Sequence, residues 1–517
     1  MDFSGNNIRS IISHGAEGVP VDIECHLSNS LPNIVIVGAA SRNVDESKER
    51  IRGAFSNSQL NLPRKRISIN LAPADIPKES SSLDLPIAAA ILAAMSSLGA
   101  GPRPNEVIIG ELGLDGNVRP VRGIIGKLLN GRRLGYRRFY IPAGNVSQAQ
   151  IVPGIELVAV GSLRQLYEHF NDAGELPVIR TGDGHSYGLV SANQPGTALA
   201  DIAGQAQAKR AIAIAAAGGH NVLLSGPPGT GKSMLAKALA SLLPPLSHEE
   251  MLEVTHLHSL ASLNYDQLIT SRPVRAPHHS ASHMAIVGGG NLVRPGEVSL
   301  AHRGILFFDE LPEFQRATVE ALRQPLEDKT IAISRVKENV TFPANFIFVA
   351  TANPCPCGYY GSRRGKGRLC DCTAATISNY RRKLSGPLLD RIDIHVTVER
   401  VEHTRLLSST PENDDDASII RLVNVARDVQ QQRFGKPDML NSDMSNHDIK
   451  EHIRLQPAAK ETLNKAAISL GLSARAYMRC LRVARTIADM EASNAVLEHH
   501  ITEAIQFRSH SFQAPSA

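Results

Sequence analysis

The chain is 517 residues long, 20% charged and 42% hydrophobic, with a formal net charge of +5. That length suits about three domains, each large enough to bury its own core, and the composition is that of an ordinary globular protein rather than a disordered one. With so small a net charge, any affinity for nucleic acid must come from local patches; no Trp and 4% aromatics disfavour an extended base-stacking platform. The longest apolar stretch, residues 86–95, is too short to span a bilayer. The N-terminus, with Asp2, Asn6, Asn7 and Arg9, has no signal-peptide core. We read the chain as cytoplasmic, with no membrane partner.

Residues 1–175 mix short β-rich runs (19–23, 34–37 and 66–70) with helical segments (47–55 and 85–95). Strand-and-turn signals follow at 107–116 and 139–142. Residues 176–197, rich in Gly, Ser and Pro, read as a linker. From 198 to 400 strands and helices alternate, which implies an α/β fold with a parallel sheet. The first helix of this region, 204–217, stops at Gly218-Gly219. Residues 401–517 form a third region that opens on an acidic break and continues as helices from 417 to about 507.

The stretch Gly226-Pro227-Pro228-Gly229-Thr230-Gly231-Lys232-Ser233 follows an apolar run and opens a helical one, the strand–loop–helix order of a phosphate-binding loop. Glycines let successive backbone N–H groups face phosphate oxygens, and the helix N-terminus adds positive potential. Lys232 would reach the β- and γ-phosphates of ATP, and the Ser233 hydroxyl would ligate Mg2+. Downstream, the apolar run Ile305 to Phe308 ends in Asp309-Glu310. Asp309 would hold Mg2+ through water, and Glu310 would polarise the attacking water. A second buried run, Phe346 to Ala350, delivers Thr351-Ala352-Asn353, where Asn353 can orient water against the γ-phosphate.

Two stretches of the core exceed plain connections. Residues 272–296, with three consecutive glycines, read as a functional insertion. Residues 330–341 alternate as a hairpin carrying Arg335 and Lys337, either a pore-facing phosphate contact or a solvated tip. Four of the six cysteines, Cys355, Cys357, Cys370 and Cys372, lie within 18 residues. Two short-spaced thiol pairs can close a tetrahedral Zn2+ site; reduced surface thiols and disulfides are the alternatives. The loop they enclose carries Arg363, Arg364, Lys366 and Arg368, flanked by Tyr359, Tyr360 and Tyr380, a mixture suited to the nucleic-acid backbone and bases. His278, His279 and His283 have no HExxH spacing and read as loop-packing groups.

Beyond these motifs, 218–221, Arg275-Ala276-Pro277-His278-His279, Ser299 to His302, Asn353 to Gly358, Gly386 to Asp393 and Ser473 to Tyr477 occur in order along nearly the whole chain. In these stretches it resembles the magnesium-chelatase-like ComM/YifB family of bacterial AAA+ proteins. The resemblance implies a hexameric ring with ATP at subunit interfaces. Arg391 matches the arginine supplied in trans to a neighbour's γ-phosphate, and Arg475, in a helical lid, matches the sensor-2 arginine. A local ion pair of Arg391 with Asp390 or Asp393 is the structural alternative, and Arg475 shares its segment with Arg479, Arg482 and Arg485. The implied activity is an ATP-driven helicase and translocase that drives branch migration of DNA in homologous recombination during natural transformation. A chelatase-type subunit remodelling a protein partner and a non-motor ATP switch are the rivals.

Residues 1–175 resemble the Lon-protease-like fold at Asp75 to Glu79 and at Gly110-Glu111-Leu112. Ser82 falls where that fold keeps its serine nucleophile, whereas Ile125 stands where the activating lysine is expected. A serine without a base stays protonated and weakly nucleophilic. The expectation is therefore a scaffold or DNA-handling domain without peptidase activity.

Overall fold

The structure, a computed structural model, describes residues 8–38, 42–74, 78, 81–95, 98, 102–103, 105–182, 198–261, 268–290, 293–334, 339–361, 369–401, 416–436 and 438–508. It divides into two compact units, one of Met1–Val190 with His248–Ile269, the other of Ser191–Ser247 with Thr270–Ala517.

The first unit holds two four-stranded sheets. In one, β1 (Ile8–His14), β2 (Glu17–Ser28), β3 (Asn33–Val37) and β4 (Arg66–Ala72) lie in the order β1-β2-β4-β3, and β3 runs parallel to β4. Alternation along β4 sends Ile67, Ile69 and Leu71 into the core. Against this sheet packs α1 (Asp84–Ala94), apolar on every side and therefore buried throughout. The second sheet is built from β5 (Glu106–Ile108), β6 (Arg138–Pro142), β7 (Glu156–Val160) and β8 (Val178–Arg180). Helix α2 (Ile124–Arg133) turns Ile124, Ile125 and Leu128 onto an apolar core shared with Phe139 and Ile141 of β6.

Two boundaries differ from those expected of the sequence. The linker assigned to 176–197 begins with β8, paired antiparallel to β7; its remainder, 183–197, lies outside the described residues. His248–Ala261, placed inside the 198–400 core, is a helix of the first unit. Its Leu252 joins the core of α2, and the imidazole of His256 sits where a Cβ on Gly126 would come within 1.9 Å of Cε1. Burial draws His256 down to about 4, so it is neutral there, with Nε2 3.0 Å from the Ala16 carbonyl oxygen.

The second unit carries an all-parallel five-stranded sheet. Its strands are β9 (Val222–Ser225), β10 (Val274–Arg275), β11 (Ile305–Phe308), β12 (Ile347–Ala352) and β13 (Ile394–Thr397), in the order β10-β11-β12-β9-β13. Every residue of β9, β11 and β12 is buried, as the continuous apolar runs required of strands covered on both faces. Helix α3 (Ala206–Gly218) ends on Gly219, whose φ of 73° makes the left-handed stop. The carboxyl-terminal helices, among them Asp416–Phe434 and Ala474–Met490, share one apolar core with α3.

Buried ion pairs tie these helices to the sheet. Asp393 pairs with Arg479, accepts from the Asn221 N–H at 3.0 Å, and lies 3.7 Å from His220. Asp489 pairs with Arg433 and with Arg485. Among the described residues no helix is long and apolar enough to cross a membrane.

Candidate nucleotide-binding site

At the carboxyl end of β9 the chain turns through Gly226–Gly231 into helix α4 (Lys232–Leu242). Gly229 and Gly231 have φ of 74° and 85°, a region that L side chains avoid. Gly226 is needed for another reason, since a Cβ there would lie 2.2 Å from the Val398 carbonyl oxygen. Thr230 Oγ1 donates to the Pro227 carbonyl at 3.0 Å and tightens the turn. A phosphate here would meet a loop of backbone N–H groups at a helix N-terminus, beside strands that end at a crossover of the sheet.

The polar groups expected to handle ATP form one bonded set. Lys232 Nζ donates to the carbonyls of Gly226 and Pro227, both at 2.7 Å, and to Asn353 Oδ1 at 3.2 Å. Asn353 Nδ2 lies 3.4 Å from Glu310 Oε1. Ser233 Oγ donates to Asp309 Oδ2 at 3.1 Å, and Thr351 Oγ1 donates to Asp309 Oδ1 at 2.6 Å. Thr351 Oγ1 also accepts from the backbone N–H of Glu310 at 2.8 Å. Glu310 itself has a φ of 56°, a strained backbone for a residue other than glycine. Burial lowers Lys232 to about 8, against the opposing pull of Asp309 and Glu310.

This oxygen set suits Mg2+, a hard cation that keeps several waters and takes one or two protein ligands beside nucleotide phosphates. Ser233 and Asp309 would hold it; bound there, it would neutralise charge on the β- and γ-phosphates. Thr351 is a functional residue to which the sequence alone assigns no role. Its signal is a hydroxyl inside an otherwise apolar strand: it fixes the Asp309 carboxylate and the Glu310 backbone together.

Arg391 and Arg475 take a different position. Both pair with Glu327, Arg475 at 3.7 Å, and Arg391 also donates to the Pro387 carbonyl at 2.9 Å. The alternative pairing of Arg391 with Asp390 or Asp393 is not what forms, because Arg479 occupies Asp393. Along their shared helix Arg479 and Arg485 are committed to buried carboxylates and Arg482 donates to the Ser442 carbonyl, whereas the Arg475 side chain is 60% exposed.

The four clustered cysteines converge. Sγ of Cys355 lies 3.3 Å from Cys357 and 3.7 Å from Cys370, Cys357 lies 3.5 Å from Cys370, and Cys372 completes a group within 4.8 Å. Tetrahedral Zn2+ with bonds of about 2.3 Å requires sulfur–sulfur edges of about 3.8 Å, so the donor set fits that ion. All four are free thiols. The cluster adjoins the phosphate loop, since a Cβ on Gly358 would meet Pro228 Cδ at 2.5 Å. Arg335, Lys337, Arg363, Arg364, Lys366 and Arg368 lie outside the described residues. Of the flanking tyrosines, Tyr380 is buried, and Tyr359 and Tyr360 stack under Arg400 and Arg381, at 5.2 and 5.0 Å. His278 binds Ser280 Oγ at 2.7 Å, a loop contact.

In the first unit Ser82 does have a lysine neighbour: Lys127, two residues beyond Ile125, whose Nζ donates to Ser82 Oγ at 2.8 Å. Ile125 instead faces the apolar core. Counting positions along a matched stretch puts the wrong residue opposite Ser82; the helical turn decides which side chain arrives there.

Comparison with known families covers almost the whole chain. Residues 198–406 match the family described as magnesium chelatase, subunit ChlI, residues 23–145 that of subunit ChlI of Mg-chelatase, and residues 413–508 the ChlI C-terminal family. The competence protein ComM of Haemophilus influenzae is 39% identical over 504 residues, covering 97% of each chain. The uncharacterized protein YifB of Escherichia coli is 38% identical, over 96% of this chain and 95% of its own. The magnesium-chelatase 38 kDa subunit of Cereibacter sphaeroides is 28% identical over 171 residues, 30% of this chain and 51% of that subunit. The chain belongs to the magnesium-chelatase-like ComM/YifB family.

Proposed function

We propose that this protein is an ATP-driven DNA motor, a ring-forming helicase that promotes branch migration in homologous recombination during natural transformation. The observation that carries the reading is the bonded set of Lys232, Asn353, Glu310, Thr351, Asp309 and Ser233 at the end of a parallel sheet. Near full-length similarity to a competence protein supports reading that ATPase as one acting on DNA taken up by the cell.

In this reading Lys232 leaves the loop carbonyls for the γ-phosphate, Glu310 takes a proton from the attacking water, and Asn353 keeps that water in line. The subunits assemble as a hexamer. Arg391 leaves Glu327 to meet the γ-phosphate of the adjacent subunit, and Arg475, released from the same carboxylate, meets its own. A delocalised guanidinium matches the charge that spreads over the transferring phosphoryl group. Cys355, Cys357, Cys370 and Cys372 hold Zn2+ and pin the ends of the loop bearing Arg363, Arg364, Lys366 and Arg368 against DNA phosphates. Arg335 and Lys337 make further phosphate contacts. The first unit, Lon-like in its sequence signals, serves as a scaffold for the motor, and the carboxyl-terminal helices serve as its lid.

The test is branch migration of a joint DNA molecule, measured for the wild type, Lys232→Ala and Arg391→Ala. Both variants lose strand movement, Arg391→Ala while still assembled and still binding ATP. Full-speed migration by either one overturns the reading. Similarity to a chelatase subunit over part of the chain supports a second reading, remodelling of a protein partner. Branched DNA raising ATP turnover, with an effect that falls steeply with salt, supports the motor; stimulation by protein alone supports the rival.

A further inference from the structure

Asn353 is tied to the cysteine cluster from two directions. Along the chain, Pro354 is all that separates it from Cys355. A proline fixes its own φ and disfavours helical backbone at the residue before it, so a displacement of Cys355 passes to Asn353 instead of being absorbed between them. Cys355 is fully buried; its Sγ accepts from the Tyr360 N–H at 3.3 Å, and its carbonyl accepts from the Gly358 N–H at 2.9 Å. The first thiol pair therefore belongs to a closed turn that leaves β12 directly after Ala352.

The second pair reaches the same asparagine through a helix. Ala374–Arg381 starts two residues after Cys372, capped by Thr373, whose Oγ1 accepts from the Thr376 N–H at 3.2 Å. Near the far end of this helix the buried Tyr380 sets its phenol oxygen on the Asn353 N–H. The next residue, Arg381, lies 5.0 Å over the ring of Tyr360, the same residue whose N–H holds Cys355 Sγ. Asn353 in turn accepts from Lys232 Nζ at 3.2 Å and lies 3.4 Å from Glu310. Contacts at or beyond the ordinary limit of about 3.2 Å are lost on a small displacement.

Four thiols make a weak anchor by themselves, because S–H is a poor hydrogen-bond donor. Zn2+, taking all four as thiolates, would fix the two pairs relative to each other. Resting on the reading of these thiols as a Zn2+ site, we propose that the cluster is a positioning site for Asn353, so that Zn2+ at the thiols and Mg2+–ATP at the phosphate loop bind cooperatively. Linkage makes the effect reciprocal: the factor that zinc adds to nucleotide affinity is the factor that nucleotide adds to zinc affinity. The cluster then has a task toward the nucleotide besides pinning the basic loop.

The test uses the full-length protein, loaded with Zn2+ or stripped by a zinc-selective chelator that spares Mg2+, with metal content measured on each sample. Affinity for a fluorescent, non-hydrolysable ATP analogue is read by titration. Zn2+ affinity is read by competition against a chromogenic chelator, with and without the analogue. We expect stripping to weaken the analogue about 10-fold, within the span of about 5- to 150-fold usual for coupled sites, and the analogue to tighten Zn2+ by the same factor. In Asn353→Ala that factor collapses toward one in both titrations while Zn2+ still binds, because the side chain being positioned is gone. General loosening of the unit on zinc loss would instead weaken the analogue equally in wild type and Asn353→Ala, and that result overturns the proposal. Two affinities that ignore each other in the wild type also overturn it, and leave the zinc reading standing. A folded chain that takes up no Zn2+ overturns both.

Discussion

Lys232 and Lys127 are both buried lysines lowered to about 8, yet they meet different partners. Lys232 lies among carbonyls, with Asp309 and Glu310 favouring its charged form, as a phosphate-binding cation would require. Lys127 faces a hydroxyl, and burial is what lowers it. The same residue type at the same titration point is held among acceptors and acids in one unit and beside a serine in the other.

Four substitutions break or sharpen that contrast, from the largest effect to the smallest. Asp393→Asn removes the acid that Arg479 and His220 face in the dry core of the second unit. Leaving a buried arginine unpaired costs about 3–5 kcal/mol, read as a fall in the denaturation midpoint of that unit. Burial opposes ionisation of Asp393, but Arg479, His220 and the Asn221 N–H outweigh it and hold the carboxyl well below its usual range. Its stabilisation is therefore full above the unfolded value of about 3.9 and is lost as pH falls through the folded one; an acid titration of Asp393→Asn shows a shallower decline.

Lys232→Met lowers ATP turnover by about 100- to 1,000-fold, the scale for removing one preorganised charge. Steady-state phosphate release checks it. Unchanged turnover would mean that Lys232 does not serve the nucleotide. Gly126→Ala drives a methyl into the His256 ring, and overpacking of this kind costs about 1–3 kcal/mol. Proteolytic sensitivity of His248–Ala261 reports it. Glu327→Gln is the mildest. It releases Arg391 and Arg475 from a half-exposed carboxylate, changes stability by about 1 kcal/mol or less, and raises ATP turnover where the freed arginines act on phosphate.

The nucleotide site is legible in the sequence because its chemistry is contiguous. A P-loop places glycines, lysine and serine on eight consecutive residues, and a buried parallel strand announces itself as an apolar run ending in Asp309-Glu310. Convergence of the four cysteines follows from short spacing in the same way. Less legible are the arginines: a charge on a helix face has many reachable partners, and only packing shows that Arg479 and Arg485 are committed while Arg475 is open. Domain boundaries fail where one helix of a mixed stretch buries its apolar side elsewhere, as His248–Ala261 does.

From the order of residues alone come the α/β class, the phosphate loop, the carboxylates and the sulfur cluster, since each rests on local backbone needs or on neighbours in the chain. Tertiary structure decides the rest: that Thr351 fixes Asp309 and Glu310, that Glu327 gathers two arginines, and that Lys127 rather than Ile125 reaches Ser82. Those contacts join residues at least 41 positions apart, because what sets them is the side from which a helix or strand meets its neighbour, a quantity no short stretch of sequence contains.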